Sequence, residues 1–317
     1  MYPRRPVGGY FCTANWRNKN CTSPDTPVSS CRLRCKWLIQ LVLFNLTLAT
    51  RIPGSLFLRN LVERRGLLFQ LVRRDFDQRF VGSAIGWIWG LIHPLVLLLS
   101  WWFVFQVCLR VPPPEGEDAR SYPLFIFAGM LPWLLFSETV QRSASSILDQ
   151  ANLITKSVFP AEMIPVSVFL SQVMGHMLAL ALVVAAAGIV LNQVSVFLAL
   201  LPFYIVVTGL LAIGLGWIVA SLHVYLRDTA QVISVVMTLW FWMTPIFISP
   251  KDYPERARFL LTANPLSYLV RGYRTMLLGG RVPDLRDLAI AGLFGAVLFL
   301  VGGLFFRHMK RGFADVL

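Results

Sequence analysis

Charge stops abruptly at Arg79. From 81 to 109 the chain carries no formally charged residue, a run of 29 positions, where about 20 apolar residues suffice to cross a hydrocarbon core. The stretch before it has the opposite character. Leu68, Val72, Phe76 and Phe80 recur every four residues, and Arg73, Arg74, Asp75, Asp77, Gln78 and Arg79 lie between them. That spacing puts apolar groups on one side of a helix and charges on the other. A helix lying in the membrane interface therefore feeds directly into a spanning helix. Its basic cluster marks the cytoplasmic side, where Lys and Arg gather. Composition agrees with an integral membrane protein: 56% of the residues are hydrophobic and 14% charged, against roughly 25% charged in soluble domains.

The net charge of +13 would suit nucleic acid if it covered a soluble surface. Here the basic residues flank apolar spans, so membrane topology accounts for them and no nucleic-acid partner is expected. Residues 1–55 read as a basic, disordered extension holding Cys12, Cys21, Cys31 and Cys35. Their spacing lacks the paired units of a zinc site, so no metal is expected, and a cytoplasmic location argues against disulfides. An apolar run at 37–49 is too short to span and lacks a convincing cleavage site, so it reads as a surface-lying segment. The next methionine after Met1 is Met130, so a later start would need another start codon. Asn20-Cys-Thr and Asn45-Leu-Thr match the glycosylation sequon, a pattern common by chance.

The expected fold is all-α and membrane-integral: an amphipathic interface helix at 56–83, then a transmembrane domain at 84–317. Six spans are expected, at about 84–109, 122–139, 165–191, 196–223, 232–248 and 288–306. Gly82, Gly86 and Gly90 form a ladder that would admit another helix closely, as would Gly209, Gly214 and Gly216. Six spans put both termini on one side, the cytoplasmic one by the positive-inside rule. The loop at 249–287 should then be external, yet it carries Lys251, Arg256, Arg258, Arg271, Arg274, Arg281 and Arg286 against four acids. Within it, Asn264-Pro265 starts a helix and Gly279-Gly280 ends one. Leu266, Leu269, Val270, Tyr273 and Leu277 make an apolar face, with Ser267, Arg271 and Arg274 opposite. With the segment before it, this reads as a re-entrant helical hairpin in the outer leaflet, ahead of the last span.

Several chemistries are missing. The five lysines, Lys19, Lys36, Lys156, Lys251 and Lys310, never follow glycine, so there is no P-loop for a nucleotide. No H-E-x-x-H, G-x-S-x-G or CxxC motif occurs. Ionisable groups in the spans reduce to His93, His176 and, at an edge, Glu138. Ion-coupled transport usually needs buried acids, so energy must come from elsewhere.

In order, the motifs RRDFDQRFVGSAIGWIWGLIHP, FAGMLPW, ITKSVFPAEMIP and ANPLSYLVRGYR resemble the ABC-2 family of transporter permeases. Within that family the resemblance is to its polysaccharide-export branch, which moves O-antigen, capsule or teichoic-acid chains. It covers residue 56 to the C-terminus. It implies a permease subunit of an ATP-driven exporter in the bacterial inner membrane. The permease would be a homodimer around a shared pore, carrying a glycan on a polyprenyl diphosphate. Two copies of a separate ATPase would bind ATP and Mg, with no cofactor on this chain and no enzymatic activity of its own. The interface helix, with Arg73, Arg74, Asp75 and Arg79, would rest on the ATPase; its arginines could alternatively meet the diphosphate. Ile154, Lys156 and Phe159 would enter an ATPase groove, and Arg227 with Asp228 would form a second contact. Ser267, Arg271, Tyr273 and Arg274 would belong to an external gate. Trp87, Trp89, Trp133, Phe136, Trp240 and Trp242 are candidates for the pore lining, because sugars present flat C–H faces to aromatic rings. Two other functions stay open: an ABC-2 exporter of a drug or smaller lipid, and a membrane-embedded transferase using a lipid-linked sugar. A transferase would need a catalytic acid or histidine pair that the spans do not supply.

Overall fold

A computed structural model describes residues 65–78, 86–111, 122–156, 160–192, 195–250 and 253–313. The chain divides into two compact units, Met1–Phe57 and Leu58–Leu317, and every described residue lies in the second. The expected extension at 1–55 therefore falls outside the described residues.

The described part is helical throughout. In chain order it runs α1 (Arg65–Gln78), α2 (Trp89–Trp102, extended by a π turn at Phe103–Cys108), α3 (Tyr122–Asp149), α4 (Ala151–Lys156) and α5 (Met163–Leu191). Then come α6 (Leu201–Tyr225), α7 (Thr229–Met243), α8 (Arg258–Ala263), α9 (Pro265–Arg274) and α10 (Leu285–Met309). Among the described residues four stretches are long and apolar enough to cross a membrane: Tyr122–Asp149, Met163–Leu191, Val196–Tyr225 and Leu285–Gly312. The helices on the first and fifth expected spans are shorter, at Ile92–Cys108 and Thr229–Met243.

α3 is the axis of the bundle. Of its most apolar stretch 89% is buried, against 28%, 39% and 17% for the other three long helices. It is flanked by α5, α6, α7 and α9. The expected span ended at 139 because the sequence turns polar there; the helix instead continues ten residues further, to Asp149. Its buried hydroxyls explain how. Thr139 Oγ1 donates to the Leu135 carbonyl at 2.6 Å, and Ser146 Oγ to the Ser143 carbonyl at 2.8 Å. Back-bonding of this kind satisfies small polar groups within their own helix, so QRSASS packs as a small-residue surface rather than opening as a loop.

α6 and α10 meet almost backbone to backbone. A Cβ on Gly214 would lie 2.6 Å from the Leu298 carbonyl oxygen, and one on Gly302 would run into the Gly214 carbonyl. The expected close packing at 209–216 is there, but it serves three neighbours. Gly209 faces the Phe169 ring of α5, Gly214 faces α10, and Gly216 faces Ser143 of α3. The 82–90 ladder differs. Gly82 lies outside the described residues. Gly86 has open space within the chain and φ +63, so it supplies a left-handed turn before α2 that other residues rarely adopt.

Candidate functional site

Two clusters of polar ties close the bundle at its two ends. At the end where α1 lies, Arg142 Nη2 of α3 donates to Asp75 Oδ1 at 2.9 Å. Asp75 is buried together with Leu71 on α1. The expected apolar stripe is thus rotated: Leu68, Val72 and Phe76 are half-buried, and an acid shares the inward side. Asp75 is held within the chain. Arg73 makes a surface pair with Asp77, at 3.7 Å with both side chains largely exposed, and Arg74 is exposed. Arg79 and Phe159 lie outside the described residues.

The same end collects the other expected cytoplasmic elements. Ile154 is half-buried on the short α4, and Lys156 ends that helix. Arg227 and Asp228 are both exposed in the α6–α7 turn, and neither joins an ion pair among the described residues. Ties not visible in the sequence hold this end together. Lys310 Nζ donates to both carboxylate oxygens of Glu162, at 2.9 Å each. Trp217 Nε1 donates to the Glu162 carbonyl at 3.0 Å. Tyr225 Oη donates to the Met309 carbonyl at 2.8 Å. Glu162 therefore pins the start of α5 to both α6 and the end of α10. Its place in VFPAEMIP and the basic run RHMKRG were the available signals, but their pairing spans 148 positions.

At the opposite end Asn264 is a hub. Its Oδ1 accepts from the Leu266 backbone N–H at 3.0 Å, which caps α9, and from Trp240 Nε1 at 3.0 Å. Its Nδ2 donates to Thr244 Oγ1 at 3.0 Å. α9 ends through a π turn, Thr275–Gly279, on Gly280 with φ +58, so the start and stop read from the sequence both hold.

The expected polar face of α9 does not. Ser267, Tyr273 and Arg274 are buried, and of the four gate candidates only Arg271 is exposed. Arg274, 3% exposed, donates from Nε to the Phe125 carbonyl at 3.2 Å and from Nη2 to the Ile246 carbonyl at 2.6 Å. Its guanidinium lies 3.5 Å from the centre of the Phe125 ring. Gly129 leaves room for it, since a Cβ there would stand 2.7 Å from Nη2. A buried cation needs such partners. Tyr253, in the preceding loop, has its phenol pushed up by burial, an effect partly opposed by the nearby Arg274 charge. Tyr273 Oη and His176 Nε2 are 3.1 Å apart, and a Cβ on Gly272 would run into the Tyr204 ring. Arg271 pairs at the surface with Asp287, at 3.2 Å. Two of the loop's unexpected cations are thus accounted for: one is internal scaffolding and one is matched by an acid.

The aromatic candidates divide. Phe136 has no exposure and Trp133 is 5% exposed. They pack on α7 through Trp240 and Phe241, with ring centres 5.3 and 5.6 Å apart, so they belong to the interior of the chain. Trp240 is half-buried. Trp89 and Trp242 are 48% and 66% exposed, and Trp87 lies in the turn Gly86–Ile88 before α2.

These features define a multi-pass, all-helical membrane protein laced by polar ties at both ends. The sequence profile of the ABC-2 type transporter family matches residues 66–278, and the chain belongs to that family. It is 31% identical over 260 residues to the O-antigen export system permease protein RfbA of Myxococcus xanthus, covering 81% of this chain and 97% of that one. A namesake from Klebsiella pneumoniae is 26% identical over 79% of this chain and 95% of its own. The polysialic acid transport protein KpsM of Escherichia coli is 21% identical over 76% and 92%.

Proposed function

We propose that this chain is the membrane permease of an ATP-driven exporter that moves a lipid-linked polysaccharide, of O-antigen or capsule type, across the bacterial inner membrane. The observation that carries the cargo class is the similarity over 97% of a relative named for O-antigen export. In this reading two copies flank a shared passage, each seated on a separate ATPase subunit that binds ATP and Mg. Six spans cross the membrane with both termini inside, the shorter α2 and α7 being the first and fifth. The exposed Arg73, Arg74, Arg227 and Asp228 and the half-buried Ile154 are available to the ATPase, with Lys156 on the same short helix; Asp75 supports them through Arg142. α8 and α9 form the re-entrant hairpin. Its tip, Asn264, is level with the last turn of α7 through Trp240 and Thr244, which supports a shallow excursion into the outer leaflet. Arg271 is the gate residue open to the passage, and Trp89 and Trp242 are the aromatic rings free to meet a sugar chain.

The test is a strain lacking this chain. Surface polysaccharide should disappear while its lipid-linked precursor accumulates inside, and Ile154→Asp should abolish partner-stimulated ATP hydrolysis without loss of the protein. Unchanged surface polysaccharide, or ATP hydrolysis by the isolated chain, would overturn the reading.

A further inference from the structure

α10 has two faces of opposite kind. One is pressed into the bundle: Ala291, Gly295, Gly302 and Phe306 are buried, and the two glycines lie against α6. The other is bare. Leu293, Val297, Leu300 and Leu304 are each between 51% and 67% exposed. They follow one another at steps of four, three and four, a single line along one face of a helix. At 1.5 Å per residue that line is about 16 Å long, the depth of one leaflet of a ~30 Å hydrocarbon core.

The line ends on cations. Arg307, His308 and Arg311 are exposed on the last turn of α10 and the 3-10 turn that closes it, Lys310–Gly312. Lys310 is held by the Glu162 carboxylate, at 2.9 Å to each oxygen. Neither arginine joins an ion pair among the described residues. The negative end of the helix is partly covered, because the Met309 carbonyl accepts from Tyr225 Oη and the Phe306 carbonyl from the Lys310 backbone N–H. The first turn of α10 is different: Asp284 caps it, and Asp287 pairs with Arg271. Positive charge at an inward-facing end is general. The particular feature is its placing, with two arginines one turn apart at the foot of an apolar line one leaflet deep.

We infer that this face of α10 binds one anionic phospholipid, its phosphate held by Arg307 and Arg311 and its acyl chains laid along Leu304, Leu300 and Val297. Two guanidinium groups on neighbouring turns, about 6 Å apart, can grip one phosphate through bidentate hydrogen bonds. Basic residues at the inner surface draw anionic lipids. The occupant is a bilayer lipid because charge stands at headgroup level and the apolar line at chain level, the two-part pattern of a phospholipid. The site goes beyond the export reading and needs only that α10 spans the bilayer.

The experiment uses the full chain reconstituted in phosphatidylcholine vesicles containing a small fraction of phosphatidylglycerol. Photoreactive benzoylphenylalanine replaces Leu304 or, as a control, Ile189, which is 78% exposed on α5 in a region with no Lys or Arg between 157 and 226. Among captured lipids, the phosphatidylglycerol-to-phosphatidylcholine ratio should exceed that of the vesicle by about tenfold or more at Leu304, and match it at Ile189. Arg307→Gln should lower the Leu304 ratio about fivefold, the factor for one basic residue beside an anionic lipid surface. Arg307→Gln with Arg311→Gln should abolish the enrichment. High salt should weaken it in the unaltered arginine background, which keeps the test decisive where a variant fails to fold. Equal ratios at Leu304 and Ile189, or an enrichment that the double variant and salt leave intact, would overturn the site. So would capture of a second copy of the chain at Leu304, or displacement of phosphatidylglycerol by a far smaller amount of a polyprenyl diphosphate. Lipid capture needs no transport, so its outcome is separate from that of the deletion strain.

Discussion

Arg274→Ala removes the side chain that joins α9 to α3 and to the segment after α7. Two charge-assisted hydrogen bonds are lost, each worth about 1.5–3 kcal/mol, along with a desolvated cation–π contact of about 2 kcal/mol. Against this stands the cost of keeping a guanidinium out of water, several kcal/mol, which the variant no longer bears. The net loss is about 2–4 kcal/mol, within the range for breaking a buried polar network. Arg271→Ala, one helical turn away, disrupts a pair whose arginine is 43% exposed, worth under about 1 kcal/mol. In detergent, aggregation midpoints followed by size exclusion after heating should fall by roughly 5–10 °C for Arg274→Ala and under about 3 °C for Arg271→Ala. Arg274→Lys should fall between, because an ammonium keeps the charge but not the planar fork that reaches two carbonyls. Equal midpoints for the two alanine variants, or a larger fall for Arg271→Ala, would refute the assignment of Arg274 as internal scaffolding.

Three further outcomes are expected. Gly214→Val should destabilise the α6–α10 seam by about 1–3 kcal/mol, read as lower yield and a lower midpoint, while Gly66→Ala, in open space, should not. Asn264→Ala should cost about 1 kcal/mol for the cap and shift tryptophan emission as Trp240 Nε1 loses its acceptor; an unshifted spectrum would count against the hub. Lys310→Glu should loosen the inner end by up to about 1 kcal/mol and weaken ATPase coupling, with Glu162→Lys restoring both in the double variant; absence of rescue would mean that the pair is incidental.

Helix type and the places of the four long apolar helices were legible because they depend on local pattern. The charge-free run, the Asn264-Pro265 start and the Gly279-Gly280 stop each act within a few residues. Burial of particular polar groups was not legible. Arg274 looked like one of several cations on a polar helix face, and nothing nearby in sequence reveals that Phe125 lies 149 positions away with its carbonyl turned toward the guanidinium. Asp75 was misread in the same way, since its partner Arg142 lies 67 positions on. The end of α3 was misplaced for a different reason: serine and threonine signal a loop by composition, and only the helix's own carbonyls beside the Thr139 and Ser146 hydroxyls reveal that they pack. The aromatic residues divided for want of direction: Trp133 and Trp242 are the same residue type, yet one is 5% and the other 66% exposed.

The glycine seam between α6 and α10 has a mechanical corollary. Two main chains pressed together without side chains between them have no cushion to slide on, so these helices must travel as one rigid keel. α7 is the opposite case, with Met237 its one buried side chain. If the protein flexes as cargo goes by, the give belongs to that thin shutter and the keel stays still.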